Sequence, residues 1–427
     1  MNADLLGRHR AVLPSWMALY YDQPIALTRG EGRHVWDADG NRYLDFFGGI
    51  LTTLTAHGLP EVVDAVAQQA ARILHTSTLY LIESQIELAE QIAALVPMTD
   101  AKVFFTTSGT EANEAALLLA CTARRSNQIL AMRNSYHGRS FAAMAVTGNA
   151  GWSASSLSPV QTSYLQGAYR YRSPWRDLSD DAYTAAGVAD LIDVLDTTTA
   201  GDVACLIAEP IQGVGGFAHP PDGFYGALAT VLSERGILFA SDEVQTGWGR
   251  TGEYFWGFEA HGVTPDIITF AKGLGNGLSL AGVVAPAALM DTVAANSIST
   301  FGGNPLATAA GVANLRYLLE HQLQDNALKA GQQLHRHLVE GLDGLPLVAD
   351  IRGKGLMLGI EFADGDRTPD AAAAGQVLER CKDAGLLVGK GGLYGNVLRI
   401  TPPLTVTIDE ITQGADVLVA AIERVVG

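Results

Sequence analysis

The fold is decided by three short apolar runs between residues 203 and 277: VACLIAEP (203–210), GILFASDEVQTG (236–247) and DIITFAKGLGNG (266–277). Each run has the length and composition of a buried strand. Similar runs cover residues 102–106 and 128–132, while 61–74 and 84–95 have helical patterns. Because strands alternate with helices, the sequence predicts an α/β fold with a mostly parallel sheet and helices on both faces.

The rest of the chain suggests three parts. Residues 35–47 (VWDADGNRYLDFF) predict a hairpin around an Asp-Gly turn, within an N-terminal arm of residues 1–60. Residues 61–305 are predicted to form a large domain, in which 153–200 is a polar surface excursion with one helix near its end. A long helix after Pro305 opens a smaller α/β domain at residues 306–427.

Composition limits the classes of function. The chain has 427 residues, 48% of them hydrophobic, and a formal charge of −17, which argues against a broad nucleic-acid surface. No stretch has the length and apolar character of a membrane span, and the N-terminus has no signal-peptide core, so we expect a cytoplasmic protein without a membrane partner. The three cysteines are far apart and lack a CxxC pattern, which indicates free thiols and no zinc site.

Reactive side chains follow the three central strands. Glu209 ends the first run, Asp242 and Gln245 follow the second, and Lys272 follows the third. Because ligands of open α/β sheets bind beyond the carboxyl ends of strands, we expect these groups to share one crevice. A lysine with a lowered pKa can form an imine with an aldehyde cofactor. A single lysine after a strand is usually a surface residue, but two nearby acids favour a functional role.

A candidate anion site precedes a helix. The segment TSGTEAN (107–113) joins a strand to a helical run, so free N–H groups and the positive helix end would face the crevice. A simple capping box, with Ser108 as cap and Glu111 as the returning acid, explains the same residues and is compatible with anion binding.

Other signatures are weak or absent. Residues 213–218 match GxGxxA but lead into His-Pro-Pro instead of a helix, which disfavours a dinucleotide site. The sequence has no Walker A or HExxH motif, and its GLS segment (277–279) lacks the context of a hydrolase nucleophile.

Taken together, the motifs resemble the class III, fold type I, pyridoxal-phosphate (PLP)-dependent aminotransferases over nearly the whole chain, with the appearance of the alanine–glyoxylate aminotransferase type 2 branch. The resemblance implies a large domain with a mostly parallel sheet and a small α/β domain built from the N-terminal arm and the C-terminal segment. It rests on YLDFFGGI, TTSGTEANEAA, SYHG, AEPIQGVGG, SDEVQTGWGRTG, DIITFAKGLGNG, TFGGNP and RGKGLMLGIE, with LHTST, FWGF and GLLVG in support.

The resemblance also implies residue roles. Lys272 carries the cofactor as a Schiff base and later moves a proton between the substrate carbon and cofactor atom C4′. Asp242 pairs with the pyridinium nitrogen, and Gln245 contacts the ring hydroxyl. The other implied cofactor residues are Ser108, Gly109 and Thr110 at the phosphate, Tyr136 on the ring face, His137 behind it, Glu209 in support, and Thr300 reaching the neighbouring subunit's phosphate. Thr300 thus implies a homodimer, alone or as a dimer of dimers.

Substrate binding is implied for Arg399, in VLRITPPL, which matches the arginine that grips a carboxylate. Family members that act on ornithine or γ-aminobutyrate usually mask this arginine with a glutamate, where this chain has Val214. An open arginine favours α- or β-amino acids with small 2-oxo acids such as pyruvate or glyoxylate. Trp16, Tyr20 and Tyr21 in the arm are further candidates for the substrate pocket.

Two alternatives stay open at this point. An amino-acid racemase or an amino-phosphate lyase on the same scaffold would share the cofactor motifs. A catalytically silent binding protein is disfavoured by the joint presence of Lys272, Asp242 and Arg399.

Overall fold

The computed structural model describes residues 2–427. Its strands are β1 Leu27–Glu31, β2 His34–Asp37, β3 Arg42–Asp45, β4 Ala101–Thr106, β5 Gln128–Met132, β6 Gln161–Leu165, β7 Cys205–Ala208, β8 Leu238–Asp242, β9 Ile267–Phe270, β10 Ala281–Pro286, β11 Val348–Lys354, β12 Met357–Phe362, β13 Leu386–Leu387, β14 Gly389–Gly391 and β15 Val397–Ile400. Its α-helices are α1 Asn2–Val12, α2 Gly48–Leu51, α3 Pro60–Arg72, α4 Glu83–Ala94, α5 Gly109–Arg124, α6 Phe141–Ala145, α7 Asp180–Thr198, α8 Phe224–Glu234, α9 Ala287–Met290, α10 Pro305–Glu320, α11 Leu323–Gly341, α12 Ala371–Asp383 and α13 Ile408–Val426.

The large sheet has the order β4-β10-β9-β8-β7-β5-β6. Strand β10 is antiparallel to both of its neighbours, and the other strands run parallel to one another. Residues on β7, β8 and β9 are buried except Leu238 at the start of β8, which is partly buried, as expected for a sheet covered on both faces. The predicted α/β fold with a mostly parallel sheet is therefore confirmed.

Two strands of this sheet differ from the sequence prediction. The segment 153–200 is not only a surface excursion, because it supplies edge strand β6, which pairs in parallel with β5. Strand β6 (QTSYL) is polar and only partly buried, so its sequence carries little apolar signal. Strand β10 was not predicted either, and it returns antiparallel between β4 and β9.

Two smaller sheets lie outside the large one. The first has the order β1-β2-β3-β13 and joins the N-terminal arm to the C-terminal segment. Its predicted hairpin is confirmed, with Val35 opposite Tyr43 and the turn held by Asp37, which accepts hydrogen bonds from the N–H groups of Asp39 and Asn41. The second sheet, β11-β12-β15-β14, is antiparallel and carries Arg399 on β15. The domain boundaries at residues 60 and 305 stay predictions.

Among the described residues, no helix combines the length and apolar character that crossing a membrane requires.

Candidate active site

A cavity of about 160 Å³ lies at the carboxyl ends of β7, β8 and β9. The three strands are parallel neighbours, so the residues that follow them meet at one edge of the sheet. The cavity is lined by Ser108, Gly109, Thr110, Asn113, Tyr136, His137, Gly138, Glu209, Asp242, Val244, Gln245 and Lys272. This lining contains every cofactor-binding residue that the sequence predicts within one subunit.

Helix α5 begins at this cavity with Ser108 as its N-cap. The hydroxyl of Ser108 accepts a hydrogen bond from the Glu111 N–H at 3.2 Å. The Glu111 carboxylate returns to Thr107, accepting from its N–H and hydroxyl at 2.7 Å each, one residue before the position expected in a capping box. The first amides of the helix, at Gly109 and Thr110, lack intrahelical partners and can bind an anion.

Asp242 is buried, with 3% of its surface exposed, and its carboxylate is held from three directions. Oδ2 accepts hydrogen bonds from His137 Nδ1 at 2.7 Å and from Asn113 Nδ2 at 2.8 Å. Oδ1 accepts from the Val244 N–H at 3.1 Å. The carboxylate is therefore fixed in orientation before any ligand binds.

Asn113 lies in the TSGTEAN segment, but the sequence alone gave it no role. Its amide donates to Asp242 and to the His137 carbonyl at 2.7 Å, and its Oδ1 accepts from the Thr269 hydroxyl at 2.7 Å. It lies one helical turn after Gly109, on the buried face of α5. That spacing from the anion-binding turn was the available signal.

Glu209 holds two loops at the cavity. Its carboxylate accepts hydrogen bonds from the N–H of Tyr136 at 2.9 Å and the N–H of Gly213 at 2.8 Å. Burial raises the pKa of Glu209 to about 7, and the neighbouring His137 partly opposes this shift. The ring of Tyr136 packs edge-on against Trp152 at 5.3 Å between centroids.

Gln245 is buried, and its Oε1 has no hydrogen-bond partner among residues 2–427. A side chain at Gly213 would come within 2.1 Å of the Gln245 amide, so only glycine fits beside it. An orphaned buried acceptor is costly unless a ligand donates to it.

Lys272 has the properties of a reactive amine. Burial lowers its pKa to about 8, with a further lowering by Arg399, while the carboxylates of Asp242 and Glu209 oppose the shift. Its backbone φ of +43° lies in the left-handed region, which is strained for a lysine. Strain of this kind often marks a functional position.

Arg399 is a buried cation with 3% of its surface exposed. Its guanidinium donates to the Gly213 carbonyl at 3.4 Å and to the Tyr20 hydroxyl at 3.5 Å, and it lies over the Phe47 ring at 5.3 Å. Within the described part of the chain, no carboxylate pairs with it. Val214 is buried and supplies no charge.

The arm aromatics are placed differently from one another. Tyr20 lies beside Arg399, and the plane of its ring makes an angle of 87° with the plane of the Tyr21 ring. Tyr21 instead packs with Val35 against the small sheet, near Lys382, so the expected pocket position of Tyr21 is not observed. Of the two, only Tyr20 reaches Arg399, and neither is part of the cavity lining. Trp16 is 69% exposed and lies over the Arg139 guanidinium at 5.6 Å.

Thr300 lies on the surface and is not part of the cavity lining. The described residues contain no group of His, Cys, Asp or Glu side chains that could hold a metal ion.

This set of groups fits one kind of ligand. The start of α5 suits a phosphate, Asp242 suits a protonated ring nitrogen, and the free Oε1 of Gln245 suits a ring hydroxyl. Lys272 supplies an amine that can react with an aldehyde. The residues present therefore fit PLP.

Comparisons with known proteins agree with a PLP site. The family model described as aminotransferase class-III matches residues 17–422. The chain is 39% identical to the alanine–glyoxylate aminotransferase 2 homolog 2, mitochondrial, of Arabidopsis thaliana, over 99% of this chain and 87% of the relative. It is 33% identical to an alanine/serine racemase of Pyrococcus horikoshii, over 98% of this chain and 90% of the relative.

The structure of an (S)-enantioselective omega-transaminase from Thermomicrobium roseum superposes with a TM-score of 0.92 at 33% identity, covering 100% of this chain and 99% of the other. A fold match at this level extends the sequence match to the arrangement of the sheets. The chain therefore belongs to the class III aminotransferase family and is a PLP-dependent aminotransferase.

Proposed function

We propose that the enzyme transfers the amino group of a small α- or β-amino acid to a small 2-oxo acid such as pyruvate or glyoxylate. The observation that carries this proposal is the buried, unpaired guanidinium of Arg399, close enough to Lys272 to lower the pKa of its amine. A substrate carboxylate would satisfy Arg399 while its amino group reaches Lys272.

Each residue of the cavity then has a chemical task. When bound, PLP acts as an electron sink for the substrate's α-carbon. Lys272 would hold the cofactor through its amine, and the same amine, once free, would move a proton from the substrate's α-carbon. Asp242 keeps a proton on the ring nitrogen.

The remaining groups bind and orient. Gln245 Oε1 would accept a hydrogen bond from the ring hydroxyl, and the amides at the start of α5, with Ser108, Gly109 and Thr110, would hold the phosphate. Tyr136 covers the ring face, and His137 and Glu209 hold Asp242 and the Tyr136 loop in place.

The proposal is tested with a panel of amino donors against pyruvate and glyoxylate. We expect the highest kcat/KM for small donors with a carboxylate next to the amine or one carbon away, such as alanine and β-alanine. Ornithine should be a poor donor because its second ammonium group would be repelled by Arg399, and amines without a carboxylate should be poor donors because they leave Arg399 unpaired. A preference for carboxylate-free amines would refute the proposed substrate class.

We further propose a homodimer in which Thr300 reaches the phosphate of the other subunit. A dimer of dimers would contain the same pairing of two subunits. The exposed position of Thr300 supports this, since it is available to a partner. Racemisation or phosphate elimination is not favoured by any contact described above. A cytoplasmic location stays a prediction.

The shared site can be tested by complementation. Chains carrying Thr300→Ala and chains carrying Lys272→Ala are each expected to be impaired, whereas a mixed dimer should contain one site in which both residues are intact. The purified heterodimer should therefore be more active than either parent homodimer. A fully active monomer in sedimentation, or mixtures no better than the two parents, would contradict the proposal.

A further inference from the structure

Arg250 lies where the loop after β8 meets the C-terminal sheet, and it is 1% exposed. Its Nη1 donates to the carbonyl oxygens of Pro402 at 2.6 Å and Leu356 at 3.3 Å. The Leu356 N–H donates back to the Arg250 carbonyl at 3.1 Å. Leu356 forms the turn between β11 and β12, and Pro402 follows β15. The contacts therefore join two elements that are far apart in sequence.

Stability does not account for an arginine at this place. No carboxylate among the described residues pairs with Arg250, and its buried Nη2 has no hydrogen-bond partner there. Burial lowers its pKa to about 9. A buried charge without a carboxylate partner is expensive, and the two hydrogen bonds from Nη1 offset that cost only in part. The arginine is better explained by the geometry it imposes.

The joint around Arg250 leaves little space for adjustment. Gly355 has a φ of +53°, and a side chain there would lie 2.4 Å from the carbonyl carbon of Thr251. A side chain at Gly331 on α11 would lie 2.2 Å from the Gly355 oxygen. Contact this close fixes the turn, the loop and the helix as one rigid unit.

Each side of this joint carries part of the active site. Asp242 ends β8, Gln245 follows it on the loop that leads to Arg250, and Arg399 lies on β15 just before Pro402. We propose that Arg250 is a positioning residue that sets the place of Arg399 relative to the cofactor loop. This inference rests on the proposed role of Arg399 as the carboxylate-binding group.

The test compares Arg250→Lys, Arg399→Ala and the double variant. Lysine keeps the charge, but its ammonium nitrogen ends one atom short of the position from which Nη1 donates to both carbonyl oxygens. Arg250→Lys should raise KM for alanine and glyoxylate about ten- to hundredfold, as expected when a binding group moves by about 1 Å. The dissociation constant of PLP, titrated by absorbance into the apoprotein, should not change. In the Arg399→Ala background, Arg250→Lys should no longer alter KM.

Arg33→Lys is the control, because Arg33 forms an ion pair with Glu410 and does not contact the joint or the cavity. It should leave KM unchanged. Equal effects of Arg250→Lys in both backgrounds, or a parallel loss of PLP affinity, would overturn the inference while leaving the proposed function intact. If Arg399→Ala itself leaves KM unchanged, the proposed carboxylate role fails first.

A second variant covers the case in which Arg250→Lys does not fold. Gly355→Ala would push the same turn away from the backbone of Thr251 and Arg250, which a side chain there would approach to 2.4 and 2.6 Å, while keeping the Arg250 side chain itself. It should raise KM with unchanged PLP affinity, and again only when Arg399 is present. A folded Gly355→Ala enzyme with wild-type KM would overturn the inference.

Discussion

Lys272→Ala is expected to abolish measurable transamination. Two functions are lost together, because the same amine would anchor the cofactor and move the proton from the substrate carbon to C4′. Proton transfer by a positioned group contributes on the order of 10²–10⁴-fold, and the loss should be at least that large. The measurement is turnover with alanine and glyoxylate at saturating PLP.

The control is Lys102→Ala, which removes an exposed lysine paired with Asp291 and should leave turnover unchanged. Borohydride treatment of the wild type should fix the cofactor on a peptide containing Lys272. Labelling of another lysine, or full turnover by Lys272→Ala, would show that the assignment is wrong.

The pKa of Lys272 adds a pH dependence to this prediction. With a pKa of about 8, the amine is mostly protonated below pH 8 and mostly neutral above it. Only the neutral amine attacks an aldehyde, so the rate of PLP capture by the apoprotein should rise with pH and reach half its maximum near pH 8. A rate set by an ordinary lysine would still be rising near pH 10.

Arg399→Ala is expected to raise KM for small amino and oxo acids about ten- to hundredfold, since a charge-assisted hydrogen-bonded pair contributes about 1.5–3 kcal/mol. The dissociation constant of PLP should change little, because Arg399 is not part of the cavity lining. The measurement is a pair of steady-state titrations, one with the donor and one with the acceptor. Arg316→Ala, which removes an exposed arginine paired with Glu87, is the matched control.

Val214→Glu tests the charge of Arg399 by adding a carboxylate that can neutralise it. A carboxylate at this position would neutralise Arg399 when a distal ammonium enters, so the preference should shift from alanine toward ornithine. Unchanged KM values in Arg399→Ala, together with a wild-type preference for ornithine, would mean that the substrate is held mainly by the N-terminal arm.

Several features followed from the sequence alone. The order of apolar runs predicted the parallel strands, and Glu209, Asp242 and Lys272 were recognised because the ends of neighbouring parallel strands meet at one edge. The start of α5 was predicted from its local pattern of cap and acid. Each strand end and the helix cap are set by a short stretch of the chain, so each pattern can be read from the sequence alone.

Other features were decided only by the tertiary structure. The polar sequence of β6 became a strand because β5 offered it a pairing edge, and Tyr20 rather than Tyr21 reached Arg399. Asn113 and Arg250 gained their partners from segments more than a hundred residues away. Such contacts arise from the packing of distant segments and leave no local periodicity, so a single sequence shows the residue types but not which of them meet.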